Sequence, residues 1–432
     1  ETMESLIDHA AQNNPEPGSR TFQRLNRSEY TNAVEDLLGL KVDAGKWLPL
    51  DSYLANFDNM AVAQTLSATL LDSYLTAANE VSRLALGHPQ ATETSANYRV
   101  SVYESQHAWD RVEGAPFGTR GGVVSDHHFP ADGEYVFKFS FWAGDVAREE
   151  DLDISLDGER VALLEVEVLH IDADIGPNWV METEPVFIRA GYRRVAAAFI
   201  KKVAGPYGDI LQPHVSSLAG TRAPVGYGVT LLPHLRDMTI VGPKDSRGVS
   251  ETSTRARLFT CRPTSPDSAR PCAEKIISRL ATNAYRRPLN DRELADLMLF
   301  YEDAADAYGF EVGVRTALEA ILASPHFVFR IEPEPDGVKP GERYRLGDLA
   351  LASRLSFFLW GRPPDDELVD LASRGRLSNS RVLEEQVVRM LESPWSESLS
   401  ERFAAQWLRL QDLDGVRPDA FWFPDFTEQL AT

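Results

Sequence analysis

Cysteine is nearly absent: Cys261 and Cys272 are the only two in 432 residues. Neither stands in a CxxC or a CxxCH, so a zinc site built from cysteine alone is excluded. For the same reason no residue of this chain can be assigned covalent haem. No apolar run approaches the roughly 18 residues needed to span a bilayer. The opening ETMESLIDHA has neither an initiator Met nor a basic stretch leading into an apolar one, so no signal peptide is visible. The chain therefore reads as a mature product or as a piece of something longer. GxSxG, HExxH, a P-loop and a GxGxxG after a strand are all missing, which argues against common hydrolases, zincins and nucleotide enzymes. Basic residues are in deficit: Lys and Arg total 44 against 65 Asp and Glu, a net charge of −21. Such a surface repels phosphate backbones and anionic membranes, so nucleic acid is an unfavoured partner.

Apolar residues at 43% and charged residues at 25% are the composition of globular material, and the length suggests two to four domains. Ten polar residues with three prolines, RPTSPDSARP, separate the two cysteines. A turn-rich loop of that kind brings two Cα atoms within disulfide range. Two free cysteines, one of them capping a helix, is the alternative.

The periodicity runs helical, then β, then helical. Residues 1–20 read as a polar linker. In the segment 21–92, Asn26 and Glu29 have capping-box spacing, and the helix that follows presents Tyr30, Val34, Leu37 and Leu38 to a core. A second helix, ending at Gly87, is expected to bury Leu70, Leu71, Tyr74, Ala78 and Val81. From Tyr98 the pattern alternates with period two, and Asp157-Gly158 marks a hairpin turn. Residues 97–243 thus read as an antiparallel β-sandwich of jelly-roll or carbohydrate-module type. Helices return over 255–335, where Pro271 suits a first helical position and Asn290 with Glu293 forms a second capping box. Further helices fill 343–432, a domain expected to continue beyond the chain end. The fold class is α+β and multidomain.

Chemistry-bearing residues are scattered. The acidic cluster Asp145, Glu149, Glu150, Asp151, Asp153 and Asp157 has two readings: a calcium loop, with Asp145, Asp151 and Asp153 as ligands, or the solvated face of a strand. His127 and His128 are adjacent on a strand and point to opposite faces, which disfavours one shared metal. His107 with Trp109 would suit a sugar-stacking edge, or simply the rim of a sandwich. In GTRGG, Gly118, Gly121 and Gly122 permit a tight turn or a close backbone approach. Arg24, Arg27, Arg286, Arg287, Arg330 and Arg354 flank apolar helix faces, where arginine anchors a carboxylate or cements neighbouring elements. Phe357, Phe358, Trp360, Phe403 and Trp407 are expected to be core or interface aromatics.

Taken together, RLNRSEYTNAVEDLLG with NFDN, GTRGG with FPADGEY, LFTCRPTSPDSARPCAEKIISRLATNAYRRPL with ILASPHFVFRIE, and LASRLSFFLWGRPPDDEL with FAAQWLRL resemble a known family. It is a large bacterial multidomain family of unknown function, abundant in planctomycetes and associated with cytochrome c domains. The resemblance runs in the family's domain order from Arg24 nearly to the chain end. It implies an exported protein, periplasmic or at the cell surface, and strengthens the disulfide reading. It places haem c in flanking segments or a partner chain, and makes a cytochrome c domain the expected partner. A redox-related role on an unknown substrate, a polymer among the candidates, is implied, with a cytochrome c-linked oxidoreductase as the enzyme class. The alternative is a noncatalytic scaffold whose sandwich holds polysaccharide. Arg24, Asn26, Asp58, Asn59, Arg120 and Arg354 are polar motif residues that no single hydrophobic face requires. They are expected at contacts between helical parts and sandwich, as cement or as a substrate site.

Overall fold

The computed structural model describes residues 23–410 apart from 62–63, 65–66, 102–105, 107–110, 143–149, 167–179, 203–232, 336 and 340–341, together with Ser5 and Trp422. Two compact units emerge: residues 1–85 with 253–432, and residues 86–252. The helical segments from the two ends of the chain thus belong to one unit, interrupted in sequence by a β unit. No helix among the described residues is long and apolar enough to cross a membrane.

The helical unit starts with a short strand, β1 (Gln23–Arg24), followed by α1 (Arg27–Leu38). Asn26 accepts from the Glu29 amide at 2.9 Å while Glu29 accepts from the Asn26 amide at 3.1 Å, so the capping box is complete. Helix α2 (Ala68–Leu86) buries Leu70, Tyr74, Ala77, Ala78 and Val81. Leu71, expected in that core, is 45% exposed, because the apolar stripe of α2 runs through the 70–74–77–81 face and leaves Leu71 and Leu75 beside it.

The β unit comprises β2 (Thr94–Arg99), β3 (Thr119–Phe129), β4 (Gly133–Trp142), β5 (Glu150–Leu156), β6 (Glu159–Val166), β7 (Val180–Glu182), β8 (Val186–Ile188), β9 (Gly191–Ile200) and β10 (His234–Lys244). One sheet has the order β2-β10-β4-β7, with β8 also on β4; the other has the order β3-β9-β5-β6. All pairings between these strands are antiparallel. Tyr135, Phe137, Phe139 and Phe141 of β4 share one core with Leu152 and Ile154 of β5, Val195 and Phe199 of β9, and Met238 and Ile240 of β10. The two sheets therefore pack face to face as a sandwich. The β5–β6 hairpin turns at Asp157-Gly158, both at positive φ (52° and 88°). At the start of β3 the register against β9 shifts between Arg120 and Val123. There Gly122 sits at φ 98°, and a Cβ on it would run into the Ala197 carbonyl oxygen, so only glycine fits.

Returning to the helical unit, the chain forms α3 (Ser253–Leu258), α4 (Pro266–Tyr285), α5 (Asp291–Tyr308), α6 (Phe310–Ala323) and α7 (Pro325–Val328). Strand β11 (Phe329–Arg330) follows and pairs antiparallel with β1. Cys261 and Cys272 are disulfide-bonded, their Cα atoms 5.9 Å apart, which ties the α3–α4 connection to the body of α4. Pro271 does not open α4: the helix begins one turn earlier, with Pro266 at its first position, so Pro271 lies inside. The Ser265 amide donates to Ser268 Oγ at 3.1 Å, a serine arrangement that closes the helix start upstream of Pro271. Asn290 and Glu293 cap α5 reciprocally. Tyr30, Val34, Ile276, Ile277, Leu280, Val314, Leu318, Ile321 and Phe327 are buried in this unit.

Helices α8 (Asp348–Leu359), α9 (Asp366–Ser373) and α10 (Ser380–Glu392) enclose a smaller core of Leu359, Trp360, Leu368, Leu377 and Met390. A π-helical turn at Leu399–Ala404 and the short α11 (Ala405–Trp407) follow. Phe357 and Trp360 are buried as expected, whereas Phe358, Phe403 and Trp407 are 63%, 46% and 65% exposed. Neighbours on a helix point about 100° apart, so one layer of packing takes Phe357 and leaves Phe358 outside. Phe403 instead stacks on Phe57 and Trp407 at ring-centroid distances of 5.6 and 6.0 Å.

Candidate functional site

The motif arginines converge on the β1–β11 ribbon. Arg24, 6% exposed, forms an ion pair with Asp51 at 2.8 Å and donates to the Leu25 carbonyl at 3.1 Å. Tyr74 Oη lies 3.4 Å from the same nitrogen, and the Gln64 side chain accepts from the Arg24 amide. Burial pulls the Arg24 guanidinium down while Tyr74 and Asp51 push it up, and the upward effects win. On the paired strand Arg330 lies 3.5 Å from Glu29 Oε1, with the ring of Phe357 at 4.7 Å from its guanidinium carbon. Arg286, the residue closing α4 in a left-handed conformation, donates to the carbonyls of His326, Phe327 and Phe329 at 2.7–3.3 Å. Burial and the neighbouring Arg330 lower its proton affinity; those three carbonyls are what hold the charge in place.

The remaining predicted site residues surround this ribbon or lie elsewhere. Asn26 is fully buried as the α1 cap. Asp58 is 3.3 Å from Arg402 Nη2, and the Asn59 carbonyl accepts from Gln23 Nε2 at 2.8 Å. Arg354 makes a two-pronged contact with Glu332 at 2.5 and 2.8 Å, with half its side chain exposed. Arg120 is in the sandwich, 1% exposed, where it donates to the carbonyls of Gln106 and Pro233, sits 3.5 Å from Glu150 and covers the ring of Phe199. Each of these groups thus has a partner inside its own unit.

The sandwich's other candidates also have ordinary structural company. Asp151 pairs with Lys202 at 3.2 Å and Asp153 pairs with Arg160, so each of these two carboxylates has a counter-ion beside it. Among the described residues no group of three or more His, Cys, Asp and Glu is placed to hold a metal. Asp145, Glu149, His107 and Trp109 lie outside the described residues. His127 Nδ1 is 2.7 Å from Tyr98 Oη, while His128 faces Tyr192, so the adjacent histidines do face apart.

A concave site appears where no motif pointed. Helices α2, α5 and α6 frame a groove of about 550 Å³, lined by Leu75, Leu297, Phe300, Ala320, Glu319, Asp296 and, at one end, Tyr285, Glu293 and His326. Asn79 Nδ2 donates to Glu319 Oε1 at 2.9 Å and fastens the α2 wall to the α6 wall. At the polar end Arg287 grips Glu293 through both nitrogens, at 2.6 and 2.9 Å. This bidentate bond, with the Asn290 amide, holds the Glu293 carboxyl down at about 2, well below the usual range. Arg287 Nη2 also lies 3.3 Å from His326 Nδ1. A guanidinium only donates, so Nδ1 accepts and the ring proton sits on Nε2, 3.6 Å from Glu293. Burial and Arg287 lower the His326 pKa, so the imidazole is neutral at neutral pH. Glu293 is too weak a base for proton abstraction; the end of the groove is a fixed carboxylate beside a neutral imidazole. The only sequence signals for it were the Asn290–Glu293 cap and the Ser324-Pro325 stop, both local features that say nothing of a cleft.

Buried and exposed pairs should separate cleanly in urea unfolding followed by tryptophan fluorescence. Arg24→Gln leaves Asp51 buried and unpaired and should lower the stability of the helical unit by about 3 kcal/mol. Arg354→Gln removes a half-exposed pair and should cost less than about 1 kcal/mol. Equal effects would contradict the burial assigned to them. A second expectation concerns acid. Glu293 has its pKa depressed in the folded state, so its contribution is complete above the unfolded carboxyl value and fades as pH falls toward about 2. The stability gap between wild type and Glu293→Gln should therefore be constant above about pH 5 and close on acidification. A gap independent of pH down to 2 would refute the Arg287–Glu293 assignment.

Comparison with known families matches three segments, each described as a protein of unknown function: residues 23–87 match DUF1587, residues 272–332 match DUF1595 and residues 346–432 match DUF1592. No curated protein matches the chain. The β1–β11 ribbon joins the first two segments, and the groove takes its α2 wall from the first and its α5–α6 walls from the second. The chain thus carries three domain segments of unknown function, in the order DUF1587, DUF1595, DUF1592.

Proposed function

We propose that this chain is the non-haem central part of an exported, cytochrome c-linked protein with a redox-related role. The observation that carries the reading is the co-occurrence, in order, of the three matched segments, which agrees with the domain order of the cytochrome c-associated family that the motifs resemble. The Cys261–Cys272 disulfide is compatible with an oxidising compartment, which suits export. A net charge of −21 suits docking of a basic haem-bearing domain, since complementary potentials accelerate and orient encounter. Within this scheme the helical unit holds the recognition surfaces, and haem c resides in flanking segments or a partner chain.

The full reading frame, together with haem staining and redox titration of the intact protein from its native source, tests this reading. A CxxCH outside the present sequence and a reducible c-type absorbance are expected. Their joint absence would end the redox reading. Calcium-dependent binding to a glycan array through residues 97–243 would then favour the polysaccharide scaffold.

A further inference from the structure

The groove between α2, α5 and α6 has a composition that selects its ligand. Its apolar walls stand open to solvent: Leu75 is 56% and Phe300 51% exposed, although Leu297 beneath them is buried. Bare leucine and phenylalanine on facing walls of a concavity mark a place where an apolar body gains by leaving water. About 550 Å³ falls within the range of small-molecule sites and is too little for a folded partner.

The polar lining is of one sign. Glu293, Asp296 and Glu319 contribute carboxylates, and neither lysine nor arginine lines the space. Their availability differs. Glu293 is engaged by Arg287. Glu319 accepts from Asn79 and feels Arg315 from outside the groove. Asp296 is exposed and has no ion-pair partner among the described residues. His326 brings no positive charge, and the hydroxyl of Thr316 is committed to the Val312 carbonyl at 3.0 Å. An anion entering here would meet carboxylates, and the guanidinium behind them, Arg287, is already engaged by Glu293. A cation would meet the exposed carboxylate of Asp296 and the aromatic ring of Phe300, whose quadrupole favours positive charge.

We propose that this groove is a binding site for a small organic cation with an apolar body, an alkyl- or arylalkylammonium. The ammonium sits between Asp296 and Glu319, and the hydrocarbon lies along Leu75, Leu297 and Phe300. This inference is independent of whether the protein is linked to haem.

A matched pair of probes isolates the charge: 4-phenylbutylamine and 4-phenylbutyrate share one hydrocarbon body and differ in sign. Titration calorimetry of the full chain at about 0.15 M salt, where surface charges are largely screened, is expected to show saturable one-site binding of the amine. The butyrate should bind at least roughly tenfold more weakly. Asp296→Asn and Phe300→Ser should each weaken the amine about five- to tenfold, whereas Asp151→Asn in the sandwich should leave it unchanged. Leu75→Ser, on the opposite wall, substitutes for Phe300→Ser if that variant unfolds at a lower urea concentration than wild type. Equal affinity for the two probes would overturn the proposal. So would amine binding that ignores the groove variants, or that falls equally with Asp151→Asn, because either result means attraction to the acidic surface at large. Binding of a basic amphipathic peptide with no binding of the amine would also overturn it.

Discussion

Guanidinium groups taken out of water govern the helical unit. Arg24 and Arg330 stand on the two strands of a ribbon only two residues long, and their carboxylates come from elsewhere: Asp51 from the connection after α1, Glu29 from the first turn of α1. A buried charge without its partner costs several kcal/mol, so none of these segments can leave alone. The ribbon's backbone bonds are few, and the Leu25 amide adds one more by donating to the Val328 carbonyl at 2.8 Å. Register between the two chain ends is thus set chiefly by ions, with Tyr30 wedged against Tyr74 and Phe327 at ring-centroid distances of 5.8 and 5.7 Å. Buried ion pairs are poor sources of net stability and good sources of specificity, because a slipped ribbon leaves a charge unpaired.

The groove depends on the same arrangement. Arg286 closes α4 and ties down carbonyls of α7 and β11, and the next residue, Arg287, turns the other way to hold Glu293 and touch His326. Consecutive arginines therefore divide the work between the interior and the polar end of the groove. The α2 wall comes from the opposite end of the chain, held by Asn79 on Glu319. Cement and cleft are thus neighbouring parts of the helical unit, joined through the adjacent residues Arg286 and Arg287.

What the sequence revealed was local. Capping boxes at Asn26–Glu29 and Asn290–Glu293, the Asp157-Gly158 turn, the alternation of β4 and the short polar loop between Cys261 and Cys272 each encode their outcome within a dozen residues or so. Periodicity also named most of the core of α1 and α2. It misplaced Leu71, Phe358 and Trp407, since a stripe on a helix does not reveal how many neighbours will cover it. Pro271 looked like a helix start because it directly precedes the apolar stripe of α4, whereas the actual start, Ser265-Pro266-Asp267, lies one polar turn earlier. The partner of Arg330, Glu29, and the groove itself require segments separated by the whole sandwich to meet, and the partners of Arg24 lie up to 50 residues along the chain; no local pattern carries that information.

Ions couple the two ends of the chain in this structure, and a double-mutant cycle between Glu29 and Arg330 measures that coupling. Glu29→Gln, Arg330→Met and the double variant would be compared with wild type by equilibrium urea unfolding of the full chain. A coupling energy of about 2 kcal/mol is predicted, with the double variant more stable than the sum of the single losses implies. Additivity within about 0.3 kcal/mol would contradict the account, because it would mean that the buried charges do not hold the ribbon together.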